Sequence, residues 1–178
     1  MKKEVKKICI ISGPNKEVDL TRGETAINYS TKNSLNIPFK ILGAGPDLEK
    51  MKRFYELLIN KRISEKEYFS NTKNLDHHFD LYNLLRGTSN EIEIVTKPTT
   101  LVKDIFYGFS YEEEGIYGIV TEPWHYKNFE FAQNNLKYKG RIPRNLEFFN
   151  IPSKDINYYN SIQKILSGLK TKFELAKF

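Results

Sequence analysis

Short apolar runs, several of them β-branched, alternate with stretches of helical periodicity along this 178-residue chain, and four of them stop at a small or polar turn. That alternation leaves few architectures open. Strands separated by helices favour a parallel sheet joined by right-handed crossovers, with helices on both faces. The first run, Val5 to Ile11, stops at Ser12-Gly13-Pro14-Asn15. Ile37 to Leu42 stops at Gly43-Ala44-Gly45, Glu91 to Thr96 at Lys97-Pro98-Thr99-Thr100, and Ile116 to Thr121 at Glu122-Pro123-Trp124-His125. Leu146 to Ile151 supplies a fifth strand.

Between the strands, apolar residues recur at three-four spacing. Thr21-Arg22-Gly23-Glu24 has the capping-box spacing and predicts a helix opening there and running towards Asn33. Leu48 to Leu58 predicts the next, and Leu75 to Leu85 another, closed by Gly87 in the left-handed conformation. Glu67-Tyr68-Phe69 is ambiguous. Leu101 to Phe109 and Phe129 to Leu136 are helical, the latter ending near Gly140. In the last helix Tyr159, Ile162, Ile165, Leu166, Leu169 and Phe173 form one stripe, which predicts packing along the sheet. The expected fold is a Rossmann-like three-layer α/β single domain over 1–178, with a mainly parallel central sheet.

Composition narrows the function classes. With 39% hydrophobic and 13% aromatic residues the chain has the apolar bulk for a core, so general disorder is excluded. No apolar run reaches the ~20 residues that span a bilayer, and the chain reads as untargeted and cytoplasmic. One cysteine, Cys9, excludes an internal disulfide and a multi-thiolate zinc framework, and its place in mid-strand reads as core. The net charge of +6 comes from lysines spread along the whole chain, without an arginine-rich helix or an aromatic-basic RNA signature. A basic binding protein for nucleic acid or another acidic macromolecule is therefore the second reading, behind a small anionic ligand.

A parallel sheet sets every strand-to-helix turn on one rim, where ligands bind outside the carboxyl ends of the strands. Gly13, Asn15, Gly43, Gly45, Thr100 and Thr121 are the expected ligand-binding residues, because small residues admit close approach and helix starts offer amides to an anion. Gly43-Ala44-Gly45 is half of a dinucleotide fingerprint, with Leu48 where the third glycine belongs, and no Walker A sequence occurs. Arg22, placed at a helix start, is expected to swing towards a phosphate or carboxylate as a bidentate donor. His125, near another helix start that disfavours the imidazolium, is the acid-base candidate. Asp76-His77-His78 and Asp80 lack a recognisable ligand spacing, since adjacent histidines diverge on a helix, and no metal is assigned.

These residues resemble the YdcF/SanA-like family, a Rossmann-like domain of unknown function. The likeness covers about residues 8–140 and leaves a C-terminal strand and helix at about 145–176 outside it. It rests on Ile8 to Gly13, on Arg22 with Ala26, on Ile41-Leu42-Gly43-Ala44-Gly45, and on Ile119-Val120-Thr121 followed by His125. For the family's Ser-x-x-Thr segment, Thr100 is preferred by distance to His125, and Thr72, in Ser70-Asn71-Thr72, is the alternative. Asn128 stands where the family commonly has an arginine. The resemblance implies a nucleotide-type or phosphate-bearing small ligand at the rim, with S-adenosylmethionine among the ligands. Turnover as a transferase or hydrolase and simple binding both fit these residues.

Overall fold

The computed structural model describes residues 4–43, 45–72, 76–95, 100–156 and 159–177. Five strands, β1 (Val5–Ile11), β2 (Phe39–Leu42), β3 (Ile92–Ile94), β4 (Gly115–Thr121) and β5 (Leu146–Pro152), form one sheet in the order β3-β2-β1-β4-β5. Every pairing is parallel. The helices are α1 (Lys16–Lys32), α2 (Gly45–Ile59), α3 (Glu65–Thr72), α4 (Asp76–Arg86), α5 (Leu101–Phe109), α6 (Pro123–Tyr138) and α7 (Ser161–Leu175). This is the expected Rossmann-like α/β arrangement. Among the described residues no helix is long and apolar enough to cross a membrane.

The period-two alternation of a strand separates the core into two layers. Ile8 and Ile10 of β1, with Phe39 and Ile41 of β2, pack against Ala26 of α1 and Leu81 and Leu85 of α4. The intervening Cys9 and Ile11 face the other way, with Tyr117 and Ile119 of β4, against Val102, Ile105 and Phe109 of α5 and Phe129, Ala132 and Leu136 of α6. The chain thus lays α1 and α4 on one face and α5 and α6 on the other, and the crossover direction reverses at β1. The gap between β1 and β4 is the topological switch point. Cys9 lies at the middle of the central strand, and burial pushes its thiol up to about 12.

Four local expectations need correction. Helix α1 opens at Lys16, capped by the Asn15 side chain accepting from the Val18 amide, so Thr21 sits inside the helix and its Thr-x-x-Glu spacing is coincidental. The second strand begins at Phe39: Pro38 has no amide to donate and joins β1 only through its carbonyl, which accepts from the Ile8 amide (3.1 Å). Gly87 is absent from the glycines of positive φ among the described residues, which are Gly43 and Gly140. The α7 stripe does not pack along the sheet: Ile162, Ile165, Leu166, Leu169 and Phe173 are 55–68% exposed, and the buried residues of α7 are Thr171 and Leu175.

Candidate functional site

At the switch point α1 and the start of α6 are tied together by a buried ion pair. Arg22 donates from Nε to Glu122 Oε1 (3.1 Å) and from Nη2 to Oε2 (2.5 Å), while Nη1 donates to the Ile11 carbonyl at the end of β1 (2.5 Å). The fork that the sequence suggested for a ligand therefore holds a carboxylate of the chain itself, and Arg22, only 1% exposed, does not swing. Burial alone would raise the Glu122 carboxyl, yet the Arg22 hydrogen bonds and charge hold it below its ordinary range.

The network continues across the rim. Thr121 Oγ1 lies 3.0 Å from His125 Nδ1 and 3.4 Å from Glu122 Oε2. One hydroxyl carries one proton, so both contacts are satisfied when His125 donates from Nδ1 to Thr121 and Thr121 donates to Glu122. That tautomer leaves His125 Nε2 as a bare acceptor. Burial, reinforced by the Arg22 charge and opposed by Glu122, lowers His125 to about 4. The imidazole is consequently neutral at pH 7: a weak base and hydrogen-bond acceptor, not a store of acidic protons.

Because Glu122 turns towards Arg22, it makes no side-chain cap on α6. The first turn of α6 keeps its partial positive charge at the rim. Beside it the buried Trp124 Nε1 has no hydrogen-bond partner among the described residues. Just past β5, Ser153 Oγ donates to Glu122 Oε1 at 3.4 Å.

On the β2 side Gly43 takes φ +96°, which favours glycine, and a Cβ there would lie 2.8 Å from Ser12 Oγ and 3.4 Å from Asp104 Oδ2. The turns after β1 and β2 and the first turn of α5 thus meet. Asp104 is buried, its Oδ1 has no partner among the described residues, and burial with a smaller effect of Glu174 raises it to about 7. Buried groups displaced this far from ordinary titration cluster at functional sites.

Other expected ligand contacts have structural roles. The Gly13 amide donates to Asp19 Oδ1 (2.5 Å), Asn15 caps α1, and Thr100 caps α5 by accepting from the Lys103 amide (3.4 Å). Thr72 is buried, its hydroxyl on the Tyr68 carbonyl (2.9 Å). Gly45 begins α2, while Ala44 and residues 96–99 of the third turn lie outside the described residues. The structure therefore assembles Gly13, Gly43, Thr121 and His125 on one rim with Arg22 beneath them, and assigns capping to Asn15 and Thr100.

Sequence reasoning missed Asp19, Asp104 and Glu122. Glu122 was visible as an acid between Thr121 and Pro123 at a strand end; Asp19 and Asp104 look like ordinary first-turn acids. It also took adjacent histidines to diverge, whereas the His77 and His78 ring centroids are 3.8 Å apart and both rings face Asp19.

A cleft of about 510 Å³ opens elsewhere, towards the amino ends of the strands, lined by Lys7, Lys40, Glu112 and Tyr117 among others. Two of its three lysines already hold carboxylates of the chain. Lys7 bonds Glu93 and Glu112 (both 2.9 Å), and Lys40 bonds Glu112 and the Gly108 carbonyl. Burial opposes ionisation of Glu112, but the two lysines outweigh it and lower its titration. An anion arriving there would displace existing carboxylates. No known protein family, curated protein or solved structure matches the chain.

Proposed function

We propose that the chain is a cytoplasmic, YdcF/SanA-like protein that binds a nucleotide-type or other phosphate-bearing small ligand, S-adenosylmethionine included, at the switch point between β1 and β4. The observation that carries this reading is the polar chain Arg22–Glu122–Thr121–His125, which crosses the carboxyl ends of two adjacent strands and leaves α6 uncapped. An uncapped helix start suits an anion. The acceptor Nε2 of His125 suits a hydroxyl or amine N–H of the same ligand, and Trp124 Nε1 is a buried donor without an acceptor among the described residues. If turnover follows, as a transferase or hydrolase, His125 accepts the proton of the attacking group.

The test is a thermal-shift screen of nucleotides, S-adenosylmethionine and sugar phosphates. A ligand at about a hundred times its Kd adds ~2.7 kcal/mol and raises the melting temperature by roughly 5–10 °C. His125→Ala should abolish that gain. Arg22→Ala is the poorer probe, because stranding buried Glu122 costs about 3–5 kcal/mol by itself. Absence of any shift overturns the reading, and affinity for oligonucleotides that falls steeply with salt would favour a basic binding protein for nucleic acid instead.

A further inference from the structure

Helices α1 and α4 approach closely because Gly23 of α1 has no side chain: a Cβ there would lie 2.8 Å from methyl carbons of both Leu81 and Leu84 on α4. The close approach carries Asp19 to two neighbouring histidines. Asp19 Oδ2 is 3.0 Å from His78 Nδ1 and 3.8 Å from His77 Nε2. One ligand atom from each of the three residues can be chosen so that all lie within 4.8 Å of one another. Two donors bound to one tetrahedral zinc-class ion stand about 3.4 Å apart, given bonds of ~2.1 Å. The observed spacings bracket that value.

We propose that Asp19, His77 and His78 form a binding site for a divalent transition-metal ion of the zinc, cobalt or iron class. The charge balance favours it. The Asp19 side chain is 0% exposed, and among the described residues no lysine or arginine pairs with it, whereas buried charges are held by partners or by metals. Its second oxygen is already fixed by the Gly13 amide, the outer-shell bond that orients a ligating carboxylate. Two imidazole nitrogens and one carboxylate oxygen suit these ions better than magnesium or calcium, which take all-oxygen sets. Three protein ligands leave at least one coordination position for water or substrate. Asp19 holds the turn after β1, so the ion would sit next to the rim, and this site stands whether or not the rim takes a nucleotide.

The experiment is titration of the metal-stripped full chain with Co²⁺, followed by visible absorption, and then with Zn²⁺. The expected result is saturation at one Co²⁺ per chain, with the d–d bands of a low-coordinate nitrogen-oxygen site, and displacement by Zn²⁺. His77→Ala, at the least buried of the three positions, should weaken binding at least ten-fold while circular dichroism keeps the native spectrum. His125→Ala, at the one other histidine, should bind as the parent does. Lack of saturation, a stoichiometry above one with featureless spectra, or parent-like binding by both His77→Ala and Asp19→Asn would overturn the proposal.

Discussion

Two side chains at the rim titrate out of place, and in opposite senses. His125 is lowered from 6.5 to about 4, so between those pH values the unfolded chain takes a proton that the native chain refuses. Its contribution to stability is complete above pH 6.5 and is lost as the pH falls. Asp104 is raised from 3.8 to about 7, so the native chain keeps a proton that the unfolded chain releases, and stability is lost as the pH rises through that window. Each effect is on the order of 3–4 kcal/mol at its limit. Between pH 4 and 6.5 they offset one another. Urea melts should therefore show Asp104→Asn gaining stability with rising pH across that range and exceeding the parent at pH 8, while His125→Gln loses stability with rising pH. Parallel profiles for parent and variants would refute both assignments. The helix start beside His125 made the direction of its displacement legible in the sequence, but the burial that mainly causes it, and the whole displacement of Asp104, arise from packing that only the folded chain supplies.

Individual elements were far more legible, since period and punctuation are local. Apolar runs mark all five strands, and turn residues mark where the first four stop. The errors lie where a local pattern has more than one physical meaning. Thr21-x-x-Glu24 looks like a helix start, yet the Asn15 oxygen takes the Val18 amide at 3.0 Å and the helix is already under way. Replacing Asn15 by Ala should cost about 1 kcal/mol in a denaturant melt, with Thr21→Ala costing clearly less. An equal cost at both positions would restore the original reading. The α7 stripe errs differently: helical periodicity reports that one side is apolar, not what covers it. Helix α7 buries Thr171 and Leu175 and leaves Ile162, Ile165, Leu166, Leu169 and Phe173 largely outside.

Across the whole molecule the alternation of strands and helices sufficed for a parallel sheet and therefore for a shared rim. The partnerships on that rim were not readable, because they join residues far apart in the chain: Asp19 with His78 across 59 positions, and Arg22 with Glu122 across 100. Distribution of helices between the two faces decides which of those side chains meet. Placing the lone thiol at the innermost point of this sheet has a practical consequence. Cys9 is shielded by β2 and β4 on its flanks and by α5 and α6 above, so an alkylating reagent meets it only in molecules whose midline has come apart. Its labelling rate is a built-in gauge of that opening. Nucleotide or Co²⁺, whichever the native chain takes up, should slow the clock.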